Sequence, residues 1–236
     1  MRQKTLLPLN FFGFDLTITN GVITVWLATL LVFLFFYLTS RRLQTIPGKA
    51  QNLAEILVLF VRDEVGGQIE RDREKWLPFL VAIFSFILAN NLLALIPGIA
   101  SSTGNINTTA ALALIVFLVV QATGITKHGM IGHLKSLVPE GVPFFLLPLM
   151  VPIELIGQLA RPFSLAIRLF ANMFAGHAVL LTIISLLFIF KNYFILPLPV
   201  AGEVIILAFE IFISLIQAFI FTYLTGLYIA IAQEGH

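Results

Sequence analysis

Long apolar runs, separated by short charged or Gly/Pro-containing breaks, set the layout of this chain. The first run, 21–40, stops at Arg41-Arg42 and is long enough to cross a bilayer as one helix. A charged segment, 47–75, follows. Within it, AQNLAEILVLFVRDEV places Leu53, Ile56, Leu57, Phe60 and Val61 on one helical face, the pattern of an amphipathic helix lying at the membrane interface. Residues 76–126 read as a helical hairpin. A span from Trp76 to Ile96 ends at Pro97-Gly98, the uncharged loop IASSTGNINTT turns the chain, and a second span runs from Ala110 to Ile125. After a Gly/Pro-rich connection, residues 149–232 form two longer runs, Leu149 to Phe190 and Leu198 to Ala232. About 20 residues cross the hydrocarbon core, so the first of these must tilt or bend at Pro162. The pattern predicts an all-α polytopic membrane protein with one membrane domain over 1–236. It has about five crossings, one interfacial amphipathic helix and a long, tilted C-terminal hairpin.

Composition agrees with the pattern. Only 11% of the residues are charged and 59% are hydrophobic, whereas a soluble domain carries about 25% charged residues. The net charge of +2 is too small to argue for nucleic acid as a partner. With no Cys, disulfides and thiolate metal sites are excluded. No GxxxxGK[ST] phosphate loop occurs, and no cofactor is expected. The N-terminus lacks the pattern of a cleaved signal or transit peptide. Five crossings would put nine basic residues on one side (Arg41, Arg42, Lys49, Arg62, Arg71, Arg73, Lys75, Lys127, Lys135) and three on the other (Arg2, Lys4, Lys191). The positive-inside rule then predicts an external N-terminus and a cytoplasmic C-terminus.

Arg168 stands out against this background. It lies in PFSLAIRLFANMFAGHAVLLTII, deep within an apolar run. A central Arg costs roughly 2.5–3.5 kcal/mol on insertion scales, and guanidinium cannot escape by losing its proton. Glu154, Arg161 and Arg168 recur every seven residues, as do Glu203, Glu210 and Gln217 in the last run. Each set therefore shares a helical face, drifting ~20° per heptad. Around Arg168 the same face carries Ser164, Ala171, Asn172 and Ala175, small enough to admit another helix closely. With Arg168 and Gln217 taken as level, His177 lies about 13 Å further out and Glu210 about 10 Å, at ~1.5 Å rise per residue. Titratable groups thus line two half-paths: Glu154 toward one side; His177, Glu210 and Glu203 toward the other.

These residues resemble a known family. RPFSLAIRLFANMFAG, together with LIQAFIFTYLTGLYIA, is similar to subunit a of the F-type rotary ATP synthases, and the likeness extends through NNLLALIP to nearly the whole chain. The resemblance implies a non-catalytic, proton-translocating stator subunit in a bacterial plasma (inner) membrane or equivalent energy-coupling membrane. It implies as partners a ring of c subunits, peripheral-stalk b subunits, the soluble catalytic head and the lipid bilayer. By similarity, Arg168 faces each ring carboxylate in turn. Asn172 and Gln217 match polar partners of that Arg, Glu154 an acid of the inner half-channel, and Asn91 a polar residue of the outer one. The chain departs from many bacterial relatives in carrying His177 where they have Glu and Glu210 where they have His. Ala94 stands where some members carry Asp.

Simpler readings stay open beside these. Arg161 can snorkel to the inner interface, and Glu203 can sit among outer headgroups. Glu154 can pair structurally, Asn172 and Gln217 can act as interhelical hydrogen-bond glue, and His177 with Glu210 can be a structural pair. His128, His133 and His236 read as solvated. A secondary ion/proton antiporter would also hold buried Arg, Glu and His, and a scaffold subunit of a respiratory complex is a third reading.

Overall fold

The computed structural model describes residues 5–7, 10–11, 14–15, 17–41, 43–70, 72–96, 98–135, 144–190 and 197–234. Pro97, most of the Gly/Pro-rich connection, and the basic residues Arg2, Lys4, Arg42, Arg71 and Lys191 lie outside them, as does His236. The fold is helical. Two short antiparallel strand pairs precede the helices: β1 (Thr5–Leu7) with β4 (Ile18–Thr19), and β2 (Asn10–Phe11) with β3 (Phe14–Asp15). Then come α1 (Asn20–Ser40), α2 (Lys49–Phe60), α3 (Arg73–Ala94), α4 (Ile106–Lys135), α5 (Leu147–Phe190) and α6 (Pro197–Glu234). Five of these helices (all but α2) are long and apolar enough to cross a membrane.

The apolar surface they present is what a bilayer requires. Trp26, Phe33 and Leu38 on α1 are each at least 60% exposed. A soluble bundle would hide such a face. Backbone groups in hydrocarbon must be satisfied within the segment, which is why the apolar runs take up helix.

α5 contains 44 residues, or about 66 Å at ~1.5 Å per residue, roughly twice the ~30 Å core. It passes through Pro152 and Pro162 as one continuous helix. A helix of that length lies strongly inclined in a bilayer.

α3 packs on α1 and α6, and α4 packs on α5 and α6. The core lies where these meet, around Leu80, Phe84, Ile87, Val116, Leu165, Leu169 and Phe221. A π-helical turn (Val61–Val65) and a 3₁₀ turn (Gly66–Gln68) continue α2 and drive Val61, Val65 and Ile69 into that core. α6 meets the turn at Gly226, where a Cβ would sit 3.3 Å from the Val65 carbonyl oxygen and 3.4 Å from its Cγ1.

The apolar face of α2 meets two surroundings. Leu57 and Val61 face the bundle, as does the partly exposed Phe60 through its ring contacts with Phe84 and Phe219, whereas Leu53 and Ile56 are exposed. The apolar residues are thus divided between the protein and the outside, and Ala54 and Val58 supply the rest of the inner face.

One end of the bundle is charged. Asp72, in a left-handed conformation (φ 59°) just before α3, accepts from Lys127 (2.8 Å) and Lys75 (2.7 Å), and Arg62 pairs with Glu74 at 3.2 Å. Lys127, then Lys75, holds the Asp72 carboxyl down at about 2, from an ordinary 3.8. A depressed acid stabilises the fold above its unfolded value, so this tether between α3 and α4 is complete above pH 3.8 and is lost as pH falls through about 2.

At the other end an uncharged loop is folded into the protein. Ser102 donates to Asn90 Oδ1 (2.6 Å), Thr103 donates to Asn91 Oδ1 (3.0 Å), and Thr24 of α1 donates to the Ala100 carbonyl (2.9 Å). Asn105 then starts α4, its carboxamide oxygen accepting from the Asn107 amide.

Gly226→Leu is expected to destabilise the purified protein by about 1–3 kcal/mol, because the side chain must displace Val65 backbone as well as side chain. Thermal unfolding in detergent measures this. An unchanged midpoint would show that α6 does not depend on the close approach.

Candidate functional site

Two contacts set the register of α5 against α6. Gly176 lies against Glu210, and the Arg161 guanidinium lies 5.3 Å from the ring centre of Tyr228. The helices therefore run antiparallel, and Arg168 falls about level with the turn that begins at Gln217. Glu210 and His177 fall at one depth beyond it, as the helical rise predicts.

Arg168 is exposed on the outer surface of α5, not inside the bundle. It makes no hydrogen bond or ion pair among the described residues. Ser164, Ala171 and Ala175 around it are exposed too, and so are Phe163, Ile167, Phe174, Ile211 and Leu215 on the same pair of helices. A permanent cation thus stands in an apolar surface with small residues beside it.

Beyond Arg168, toward the end that holds the uncharged loop, a cavity lies between α5 and α6. Asn172, Gly176, Glu210, Ser214 and Leu95 of α3 line it. Glu210 is 8% exposed, and neither carboxylate oxygen has a hydrogen-bond partner among the described residues. Gly176 makes this packing possible, since a Cβ there would stand 2.5 Å from Glu210 Oε1. His177 is half-buried, within electrostatic range of Glu210 but not hydrogen-bonded to it; its Nδ1 lies 3.0 Å from the Met173 carbonyl oxygen. Gln217 is buried with its amide nitrogen unpartnered, and Glu203 is half-buried further along α6. Asn91 is fully buried, its oxygen taken by Thr103 and its nitrogen unpartnered.

A second cavity opens on the opposite side of Arg168, toward the charged end. Gln121 and His128 of α4, Glu154, Gln158 and Arg161 of α5, and Tyr228 of α6 line it. Arg161 Nη2 lies 4.0 Å from Glu154 Oε1, and the Gln121 amide donates to Gln158 at 3.3 Å. Glu154 and Arg161 therefore share this cavity, but Arg168 does not line it. Arg168 lies about 10 Å further along α5 than Arg161 and is exposed on its surface.

Sequence reading missed three features. Ser102 and Thr103 are buried (0% and 2% exposed), not the accessible loop residues that their polarity implies, because Asn90 and Asn91 draw them inward. Tyr228 and the Gln121–Gln158 pair are neutral and left no charge signal in an apolar run. His128 is exposed, as its solvated reading expects, but it lies on α4 rather than in a loop and lines the second cavity.

Comparison with known proteins bears on the whole chain. The sequence model described as ATP synthase A chain matches residues 22–230. The chain is 43% identical to ATP synthase subunit a of Magnetococcus marinus, over all of this chain and 92% of that protein. It is 39% identical to ATP synthase subunit a of Rubrobacter xylanophilus, over all of this chain and 93% of that protein. With the subunit a of Chloroherpeton thalassium the identity is 42%, over 95% of this chain and 69% of that protein. A match across nearly the full length, spanning the helices that hold Arg168, Glu154 and Glu210, makes this chain a member of the ATP synthase A chain family.

Proposed function

We propose that this chain is the proton-translocating stator subunit of an F-type ATP synthase, and that it feeds a rotating ring of c subunits through two offset half-channels. The observation that carries the reading is Arg168: an exposed, unpaired cation on an apolar surface, between one cavity holding Glu210 and another holding Glu154. Such a surface is costly to leave against lipid. A ring helix carrying a carboxylate offsets that cost, and the small residues Ser164, Ala171 and Ala175 admit it closely.

In this mechanism a proton enters through the cavity lined by Glu210 and Asn172, with His177 and Glu203 along the path and Asn91 beside it. It neutralises a ring carboxylate. The neutral site can then turn into lipid. A site arriving from the other side loses its proton toward Glu154, and Arg168 holds the ionised carboxylate. Because guanidinium keeps its charge, it also blocks a proton from passing directly between the cavities. Gln217, buried at the level of Arg168, orients the groups at this junction. The electrical drive is about 2.3 kcal/mol per charge per 100 mV. Peripheral-stalk b subunits and the soluble head complete the assembly, and ATP is made in the head. The charged end faces the cytoplasm of a bacterial plasma (inner) membrane, with the N-terminus outside.

Three expectations follow from this reading. Arg168→Ala or Arg168→Gln abolishes ion-driven ATP synthesis in the assembled complex, and Arg168→Lys is a poor substitute because Lys can deprotonate. Synthesis in energised vesicles measures this; near wild-type rates for the Ala variant would overturn the assignment. Because the chain has no Cys, single cysteines report topology cleanly. Cysteine at the exposed Asn107 should react with impermeant thiol reagents only from outside, and cysteine at the exposed Met130 only from inside. Reversed labelling would invert both half-channels. Finally, His177→Glu and Glu210→His each place two like groups at one depth and slow proton entry, whereas the double exchange recovers part of the rate. If the single defects merely add, the two residues act independently.

A further inference from the structure

The second cavity holds a titratable residue that the proposed mechanism has not used. His128 lines its wall together with Glu154, Gln158, Arg161 and Tyr228, yet the residue is exposed. A side chain that lines the cavity and is also exposed on the protein surface stands at its mouth. Its position has a backbone cause. Gly129, with φ 73°, breaks α4 directly after His128, a conformation that glycine adopts without strain. His128 therefore ends the straight part of the helix.

The charged groups around the cavity are engaged with one another. On α5, Glu154 and Arg161 offset one another at 4.0 Å, and the guanidinium also rests on the Tyr228 ring of α6. On α4 itself, Lys127 is taken by Asp72. His128 makes no ion pair or hydrogen bond among the described residues. Imidazole is the side chain whose ordinary titration range spans neutrality, so it can accept and release protons at working pH.

We propose that His128 is the proton-exchanging residue at the mouth of this cavity, passing protons between Glu154 and the aqueous phase. The inference rests on the cavity's being the inner half-channel. In the release direction the Glu154 carboxyl gives its proton to a cavity water. That water, or its neighbour, protonates a ring nitrogen of neutral His128, and the imidazolium then gives the proton to a buffer base in solution. Glu154 is left as carboxylate and His128 returns to neutral imidazole. Entry of a proton during ATP hydrolysis runs the same steps backward.

The test uses the assembled ATP synthase in vesicles, with buffer concentration varied on the side of the charged end. In the wild type, synthesis should be nearly independent of that concentration. His128→Gln and His128→Ala should lose synthesis several-fold at low buffer concentration. High buffer should restore both, and added imidazole should restore the Ala variant from that side only. A purely structural role would not respond to buffer. Wild-type rates at low buffer, or a loss that neither buffer nor imidazole restores, would overturn the proposal. Glu154→Gln separates the two levels. If it slows synthesis while His128→Gln keeps the wild-type buffer dependence, only the role of His128 fails. If neither change has an effect, the cavity is not the path and both readings fail.

Discussion

The contact of α5 with α6 is the constraint on which the rest of the site depends. Gly176 lets the Glu210 carboxylate sit against the facing backbone, at a spacing that an added Cβ would violate. That approach, with Arg161 over Tyr228 at the other end, sets the register of two long helices. Register in turn decides which polar groups share a depth. Glu210 meets the level of His177, Gln217 meets the level of Arg168, and Glu154 is left on the far side. A slip of one residue would rotate each group by about 100° around its helix and part the pairs.

Polar groups in such an apolar protein are costly, and the structure handles them in two ways. Ser102 donates to Asn90, whose amide donates to the Phe86 carbonyl, and Thr103 donates to Asn91, so the loop that carries the two hydroxyls becomes part of the bundle. Glu210, the Gln217 amide and the Asn91 amide are buried without partners among the described residues. Unpaired polar atoms of this kind cost about 1–3 kcal/mol each in protein interiors and are retained where they do something. Glu210 borders a cavity, where the proposed proton exchange would need it. The ion pairs at the opposite end are largely solvent-accessible, so they contribute little beyond tethering α3 to α4 and to the turn after α2.

The sequence by itself determined the helical class and the span positions. Runs of about 20 apolar residues have one way to satisfy their backbone in a bilayer, and that way is local. It also singled out Arg168, because a permanent cation in an apolar run has no inconspicuous explanation. Matching depths for His177 and Glu210 came from the rise per residue alone. What only the tertiary structure decided is which way each face turns. Heptad spacing gives the angle between Glu154, Arg161 and Arg168 but not the direction of the neighbouring helices, so the first two enter a cavity while Arg168 points outward. The burial of Ser102 and Thr103 depends on hydrogen bonds between residues 12 positions apart, and the shared cavity of His128 and Glu154 on how α4 meets α5. Hydropathy is read along one segment at a time, and these placements arise where separate segments meet.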